Sequence, residues 1–375
     1  MEQLLKETKE FFQKAWEKSG FNQLTDVQKS AIPPISAGKD AIVEAPTGTG
    51  KTLAYLWPVL NKVDSETKEL QAVILASSQE LVMQILKEVQ NWGEGSGIRS
   101  ASMIGGANVK RQIEKLKKHP HIIVGTPGRV FELVKQKKIK MHHVKTIVID
   151  EGDQLLTFEH LPAVQSIIRS ALAERQVLFF SATMSDYMIG EAKELTNEAV
   201  VIQIKKDETI QSGKVQHFYF LSEKRDKIKI LEKIGRLNGE KTLVFFRDIG
   251  NLTVTAEKLA YKGIDAAVIH SELHKDKRKK ALKQFRANEV PLLLATDVAA
   301  RGLDIQGITV VVHFDFPKDM EQYIHRSGRT GRFGAEGTVI SIVTPREERE
   351  LKKFFRELQL PLVKKQFYEG KIVDA

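Results

Sequence analysis

Apolar and polar positions along the chain follow two rhythms. Between residues 3 and 18, Leu4, Leu5, Thr8, Phe11, Phe12, Ala15 and Trp16 recur at helical spacing. That spacing predicts an amphipathic leading helix, with Gly20 beyond it as a stop. Short β-rich runs follow: AIVEA at 41–45, AVILA at 72–76, HIIVG at 121–125, TIVID at 146–150, VLFFSAT at 177–183 and VVIQI at 200–204. Helix-length stretches such as 78–92 and 108–118 separate them. Strands that are apolar throughout, alternating with helices, predict an α/β fold with a mostly parallel sheet covered by helices on both faces.

The rhythm pauses once and restarts. The stretch around KKDETIQSGK is polar and carries a glycine, so residues 206–214 read as a linker between a first domain, 1–205, and a second, 215–375. The second repeats the pattern with VQHFYFL, TLVFF, AAVIH, PLLLAT, ITVVVHF and GTVISIV, and EERELKKFFREL adds a helix that completes it. A length of 375 residues suits two domains of ordinary size.

Composition narrows the function classes. No apolar run approaches the roughly 18 residues of a membrane span, and the N-terminus lacks the features of a secretory signal. A cytoplasmic, membrane-free monomer is expected. With no cysteine, disulfides, thiolate nucleophiles and cysteine-ligated zinc are excluded. The formal net charge of +10 favours polyanionic partners. Lysine clusters such as 115–118 and 135–140 are more often solvated faces than contacts.

The first candidate site lies in AIVEAPTGTGKT, which runs from a strand through a Gly-rich turn into a helix. Ala45, Pro46, Thr47, Gly48, Thr49, Gly50, Lys51 and Thr52 have the P-loop spacing, with alanine in place of its first glycine. Consecutive N–H groups at a helix N-terminus can surround phosphates, Lys51 adds a point charge, and Thr52 offers a hydroxyl to Mg²⁺.

A second candidate ends the strand run VID at Asp150, Glu151, Gly152 and Asp153. Function gathers at the carboxyl ends of parallel strands. Asp150 can hold Mg²⁺ through water, and Glu151 can orient and deprotonate an attacking water. Acids that merely cap the following helix are the alternative.

With GTGKT and DEGD in place, SAT at 181–183, ATDVAARGLD at 295–304 and HRSGRTGR at 325–332 follow in a familiar order. The chain resembles the DEAD-box RNA helicases of superfamily 2 from about residue 20 to 345. The resemblance implies two tandem RecA-like domains, ATP and Mg²⁺ as cofactors, and RNA recognised largely independently of sequence.

Residue by residue, GFNQLTDVQ resembles the Q motif, so Phe21 would stack on adenine and Gln28 would read its edge, although Leu24 and Asp26 stand where prolines are common. Gly105 and Gly106 resemble the paired-glycine motif, and Thr126, Pro127, Gly128 and Arg129 resemble motif Ib, both implying RNA contact; either stretch alone also suits plain structure. SSQEL at 77–81 departs from the family's motif Ia, with Gln79 replacing an arginine. His270, Arg278 and Thr296 match further RNA-contacting stretches, while LVFFRD carries Arg247 and Asp248 where small polar residues are usual.

The same resemblance assigns Arg329 and Arg332 as arginine fingers, Asp304 and Gly302 to the nucleotide, and Asp153, Ser181, Thr183, His325 and Arg326 to interdomain coupling. An arginine finger is worth roughly 10³ to 10⁵ in rate. The implied activity is an RNA-stimulated ATP hydrolase that unwinds short RNA duplexes or remodels RNA–protein complexes, in settings such as ribosome assembly or RNA turnover. The alternatives are an ATP-gated RNA clamp with little unwinding and a DNA helicase of the same superfamily. Gly152 breaks the usual Asp-Glu-Ala-Asp signature; it carries none of the expected contacts, but is expected to loosen the turn and slow turnover.

Overall fold

The structure is a computed structural model that describes residues 4–5, 7–204, 215–237, 239–300, 305, 307–331 and 335–375. The chain divides into two compact units, one ending at Lys206 and the other beginning at Asp207. The expected linker, 206–214, lies outside the described residues.

The first unit is built on seven strands: β1 (Ala41–Glu44), β2 (Ala72–Leu75), β3 (Ser100–Met103), β4 (Ile122–Gly125), β5 (Thr146–Asp150), β6 (Gln176–Ser181) and β7 (Val200–Gln203). They pair in the order β3-β4-β2-β5-β6-β1-β7, each parallel to its neighbours. Period-2 geometry splits each apolar run between two cores. Ala72 and Ile74 of β2 face one core, with helices Lys51–Lys62 and Gln79–Trp92; Val73 and Leu75 face the other, with helices Pro127–Lys135 and Leu161–Arg169. A run of Val, Ile and Leu is therefore required on both faces, which is why these strands show no polar alternation.

The expected leading helix is interrupted: Leu4 and Leu5 are helical, and a second helix runs Glu10–Ser19. Lys9 is extended at ψ 144°, and its N–H donates to Asn61 Oδ1 at 2.9 Å and its Nζ to Val63 O at 2.7 Å. The helix is fixed by an aromatic stack in which the Phe12 ring lies 4.8 Å from Trp57 and 5.0 Å from Trp92. Such pairs add about 0.5–1.5 kcal/mol each beyond the area they bury.

The second unit has eight strands: β8 (Val215–Leu221), β9 (Thr242–Phe246), β10 (Ala266–Ile269), β11 (Leu292–Thr296), β12 (Val310–His313), β13 (Gly337–Val343), β14 (Val363–Tyr368) and β15 (Lys371–Asp374). Their order is β10-β11-β9-β12-β13-β8-β14-β15, parallel except for the last pair. Leu243 and Phe245 of β9 face one core, and Val244 and Phe246 the other. Three strands were hidden in the sequence: β3 reads SASM, without the apolar density of its neighbours, and the β14–β15 hairpin is rich in lysine. The hairpin turns at Glu369 and Gly370, both at positive φ (46° and 76°), as a tight two-residue turn requires.

Candidate functional site

Sheet order decides which loops meet. The carboxyl ends of β1, β6 and β5 are neighbours, so the Gly-rich loop, Ser181 and the Asp150–Asp153 acids share one stretch of the sheet edge. The ends of β2, β4 and β3 form the adjoining stretch and bring together Ser77–Gln79, Thr126–Arg129 and Gly105–Gly106.

In the Gly-rich loop, Gly48 and Gly50 sit at φ +79° and +89°, a left-handed backbone suited to glycine. A Cβ on Gly50 would also lie 2.5 Å from Gln28 Nε2. Ala45 N–H donates to Ser181 O at 3.0 Å, and Thr49 Oγ1 to Pro46 O at 2.8 Å. Lys51 opens helix Lys51–Lys62, and its Nζ donates back to the carbonyls of Ala45 and Pro46. The cation thus lies over the loop where phosphates would be cradled. Thr52, half-buried in the first helical turn, follows it; Pro46 and Thr47 complete the loop.

Gln28 braces this loop from the side. Its Nε2 donates to Gly50 O at 3.2 Å while its Oε1 accepts from Thr25 N–H at 3.0 Å, closing the capping box of helix Asp26–Ser36. Phe21 is half exposed, with its ring stacked 6.3 Å from Trp92 at 19°. One aromatic face is thereby held and a flat apolar surface is offered to a ligand.

The acids differ in environment. Asp150 is buried: Oδ2 accepts from Tyr55 Oη at 2.9 Å, and Oδ1 from Glu151 N–H at 2.9 Å. Burial pushes its carboxyl above the usual range, opposed by the Lys51 charge and the Tyr55 hydrogen bond. Burial, then the Asp150 charge, pushes the Tyr55 hydroxyl well up as well. A desolvated carboxylate and the Thr52 hydroxyl are hard oxygen donors of the kind Mg²⁺ takes.

Glu151 adopts φ 55°, ψ 55°, unusual for a non-glycine residue, and its carboxylate accepts from Ser77 Oγ at the end of β2. Asp153 is buried; its N–H donates to Ser181 Oγ at 3.0 Å, and that hydroxyl donates to Asp153 Oδ1 at 2.6 Å. Thr183 O lies 2.7 Å from the same hydroxyl. Tyr55 and Ser77 were not singled out in the sequence. Tyr55 could have been, since it lies one turn beyond Thr52 on the same helix face.

In the adjoining stretch, Gly106 is at φ +67°, and a Cβ there would lie 3.4 Å from Gln79 Nε2. Gln79 itself is exposed at the first turn of its helix. Thr126 N–H donates to Met103 O at 3.0 Å, Pro127 occupies the first helical turn, and Gly128 is exposed. Arg129 points inward: its side chain is 9% exposed, its Nε pairs with Glu132 Oε2 at 2.9 Å, and its Nη1 donates to Ala107 O at 3.1 Å.

In the second unit, β10 and β11 are neighbours, and His270 and Thr296 lie at their carboxyl ends. Arg278 Nη2 donates to Ala299 O at 2.8 Å, tying helix Lys275–Arg286 to the segment after Thr296. Arg326 is buried at 2% exposure and bonds both oxygens of Asp297 at 2.7 Å, while its Nη1 donates to Asp315 O at 2.7 Å. His325 ends the same helix, Met320–Ser327, and Arg329 follows in a half-buried turn. Arg247 Nη2 donates to Phe316 O at 3.0 Å, and Asp248 caps the next helix. Gly302, Asp304 and Arg332 lie outside the described residues.

Residues 25–189 match the DEAD/DEAH box helicase family, and residues 226–334 match the helicase conserved C-terminal domain. The chain is 54% identical over 362 residues to the probable ATP-dependent RNA helicase YfmL of Bacillus subtilis, covering 96% of each. It is 47% identical over 372 residues to the DEAD-box ATP-dependent RNA helicase CshC of Bacillus cereus, covering 99% of this chain and 95% of that one. Among solved structures, S. cerevisiae Dbp5 bound to RNA and ADP BeF3 superposes with a TM-score of 0.87 at 27% identity, over 95% of this chain and 93% of that one. Mss116p bound to ssRNA and AMP-PNP superposes with a TM-score of 0.84 at 26% identity, over 97% and 78%. The two parallel-sheet units are tandem RecA-like domains, and the chain belongs to the DEAD-box family of ATP-dependent RNA helicases.

Proposed function

We propose that this chain hydrolyses ATP when RNA is bound and uses the cycle to open short RNA duplexes or remodel RNA–protein complexes. The observation that carries the reading is the convergence of Lys51, Asp150, Glu151 and Ser181 at the ends of three adjacent strands. The first unit alone supplies a phosphate cradle, an oxygen-donor pair and a general base.

In this reading Phe21 stacks on adenine, Gln28 reads its edge while bracing the loop, and backbone N–H groups of residues 46–52 bind the β and γ phosphates. Lys51 leaves the Ala45 and Pro46 carbonyls for phosphate oxygens, a short movement of a flexible side chain. Thr52 and Asp150 would hold Mg²⁺, which neutralises charge on the phosphates. Asp150, disfavoured as an isolated buried anion, gains a counter-charge in that state. Glu151, aimed by Ser77, orients a water and takes its proton. Arg329 and Arg332 supply guanidinium charge to the transferring phosphoryl group, with Asp304 and Gly302 on the nucleotide. Asp153, Ser181, Thr183, His325 and Arg326 couple hydrolysis to RNA binding.

RNA is proposed to lie along Gly105–Gly106, Thr126–Arg129, His270, Arg278 and Thr296, with recognition through backbone and 2′-hydroxyl. The protein acts as a cytoplasmic monomer, in ribosome assembly or RNA turnover. The decisive test compares ATPase rates with single-stranded RNA, single-stranded DNA and no nucleic acid, alongside strand separation of a short RNA duplex. RNA-specific stimulation with strand separation is expected. Equal stimulation by DNA would refute it, and RNA-specific stimulation without strand separation would refute duplex opening and leave remodelling of RNA–protein complexes.

A further inference from the structure

The paired glycines are held in place by Gln112, which lies outside the motifs that carry the family resemblance, and by Arg129 of the Thr126–Arg129 stretch. Helix Val109–Leu116 starts directly after them, capped by Asn108, whose side chain accepts from Arg111 N–H at 3.3 Å. On this helix Ile113 and Leu116 are only half-buried, whereas Gln112 is buried at 4% exposure. Burying an amide in preference to an apolar neighbour is costly unless its hydrogen bonds are made.

They are made to the glycine loop. Ile104 N–H donates to Gln112 Oε1 at 3.0 Å, and Gln112 Nε2 donates to Ile104 O at 2.9 Å. The side chain thereby pairs with the backbone just past β3 as a neighbouring strand would. The same Nε2 lies 3.4 Å from Ala107 O, which also accepts from Arg129 Nη1 at 3.1 Å. Gly105 and Gly106 are thus suspended between two anchored residues, Ile104 and Ala107. Gly106 is exposed and adopts a left-handed backbone at φ 67°.

We infer that Gln112, with Arg129, is a positioning residue for RNA: it holds residues 104–107 in the conformation that presents the Gly105–Gly106 backbone to a phosphate. This rests on the reading that these glycines contact RNA. A free loop containing two adjacent glycines must be ordered each time RNA binds, and glycine loses more backbone freedom on ordering than any other residue. The clamp meets that entropy cost at folding, so the RNA contact does not.

The test is a set of Gln112 variants of the full chain assayed for ATPase against poly(U) concentration. Gln112→Met keeps the volume and removes both hydrogen bonds; Gln112→Glu keeps the acceptor for Ile104 N–H and loses the donor. The poly(U) concentration for half-maximal stimulation should rise about tenfold in Gln112→Met, the effect of two lost hydrogen bonds, and at least as much in Gln112→Glu, whose buried carboxylate would face the Ile104 and Ala107 carbonyls. The KM for ATP at saturating poly(U) should stay at the wild-type value in both. Unchanged half-saturation in both variants would overturn the inference, as would a parallel rise in the KM for ATP, which would mark a general loss of structure. If poly(U) fails to stimulate the wild-type chain, the RNA reading itself falls, a result separable from the other two.

Discussion

At Glu151 the bond from Ser77 bears on what the carboxylate can do. Ser77 Oγ donates to it from the end of β2, and the left-handed backbone at φ 55° turns it away from the helix that follows. Glu151→Gln should leave ATP binding intact and lower the hydrolysis rate by roughly 10² to 10⁴, the span of general-base catalysis, measured by single-turnover phosphate release. Ser77→Ala should give a smaller loss, because the base remains but is no longer aimed. Gly152 stands beside it, and the surrounding bonds bear on the expectation that glycine slackens the turn. Asp153 is fixed twice by Ser181 and Glu151 by Ser77, so the spacer has little freedom to lose. An added Cβ would meet Met184 Cε at 3.3 Å, a flexible methyl able to shift. Gly152→Ala should therefore stabilise the helix by up to about 1 kcal/mol, visible as a raised thermal midpoint, while ATPase stays within about twofold of wild type.

Elements in the second unit meet at Arg326. This guanidinium joins helix Met320–Ser327 to Asp297 at the end of β11 and to Asp315 O beyond β12, and it lies 5.1 Å from the Phe245 ring centroid. It thus ties the segment after Thr296 to the turn that carries Arg329. Asp297→Asn leaves a buried cation half paired and should cost about 3 kcal/mol in urea unfolding, with RNA-stimulated turnover falling more than RNA-independent turnover. Nearby, His313 is buried, with its Nδ1 3.3 Å from Ser341 Oγ, and burial, then the Arg326 charge, lowers its pKa well below the usual 6.5. Its contribution is full above 6.5 and is lost as pH falls below that value, because the unfolded chain then binds a proton the folded chain refuses. His313→Phe should flatten the acid limb of a stability-against-pH curve. Sequence conveyed the strands with both faces buried, since TIVID and TLVFF admit no other placement. It did not convey β3, whose SASM is short and partly polar, nor the break at Lys9, which depends on Asn61 and Val63 far along the chain. Ser77 was hidden for the same reason: it reaches Glu151 only because β2 and β5 are neighbours in the sheet.

On the scale of the whole molecule, the candidate residues are divided between two separately folded units. The proposed phosphate cradle and base belong to the first; Arg329 and Arg332, the proposed fingers, belong to the second. A protein divided in this way can hydrolyse ATP wastefully unless nucleotide and RNA favour the same state of both units. Coupling of that kind is a free energy shared by two ligands, so each must tighten the other by the same factor. Glu151→Gln permits its measurement, because ATP persists during titration. Fluorescence titration of labelled RNA with and without ATP should give an affinity ratio between about 5 and 150, and titration of ATP with and without RNA should return the same ratio. Adding Arg329→Ala should bring both ratios towards one while ATP affinity in the absence of RNA is kept, since the cradle lies entirely in the first unit. If the ratio survives that substitution, the guanidinium contributes to chemistry alone, and the communication between ATP and RNA runs through other residues.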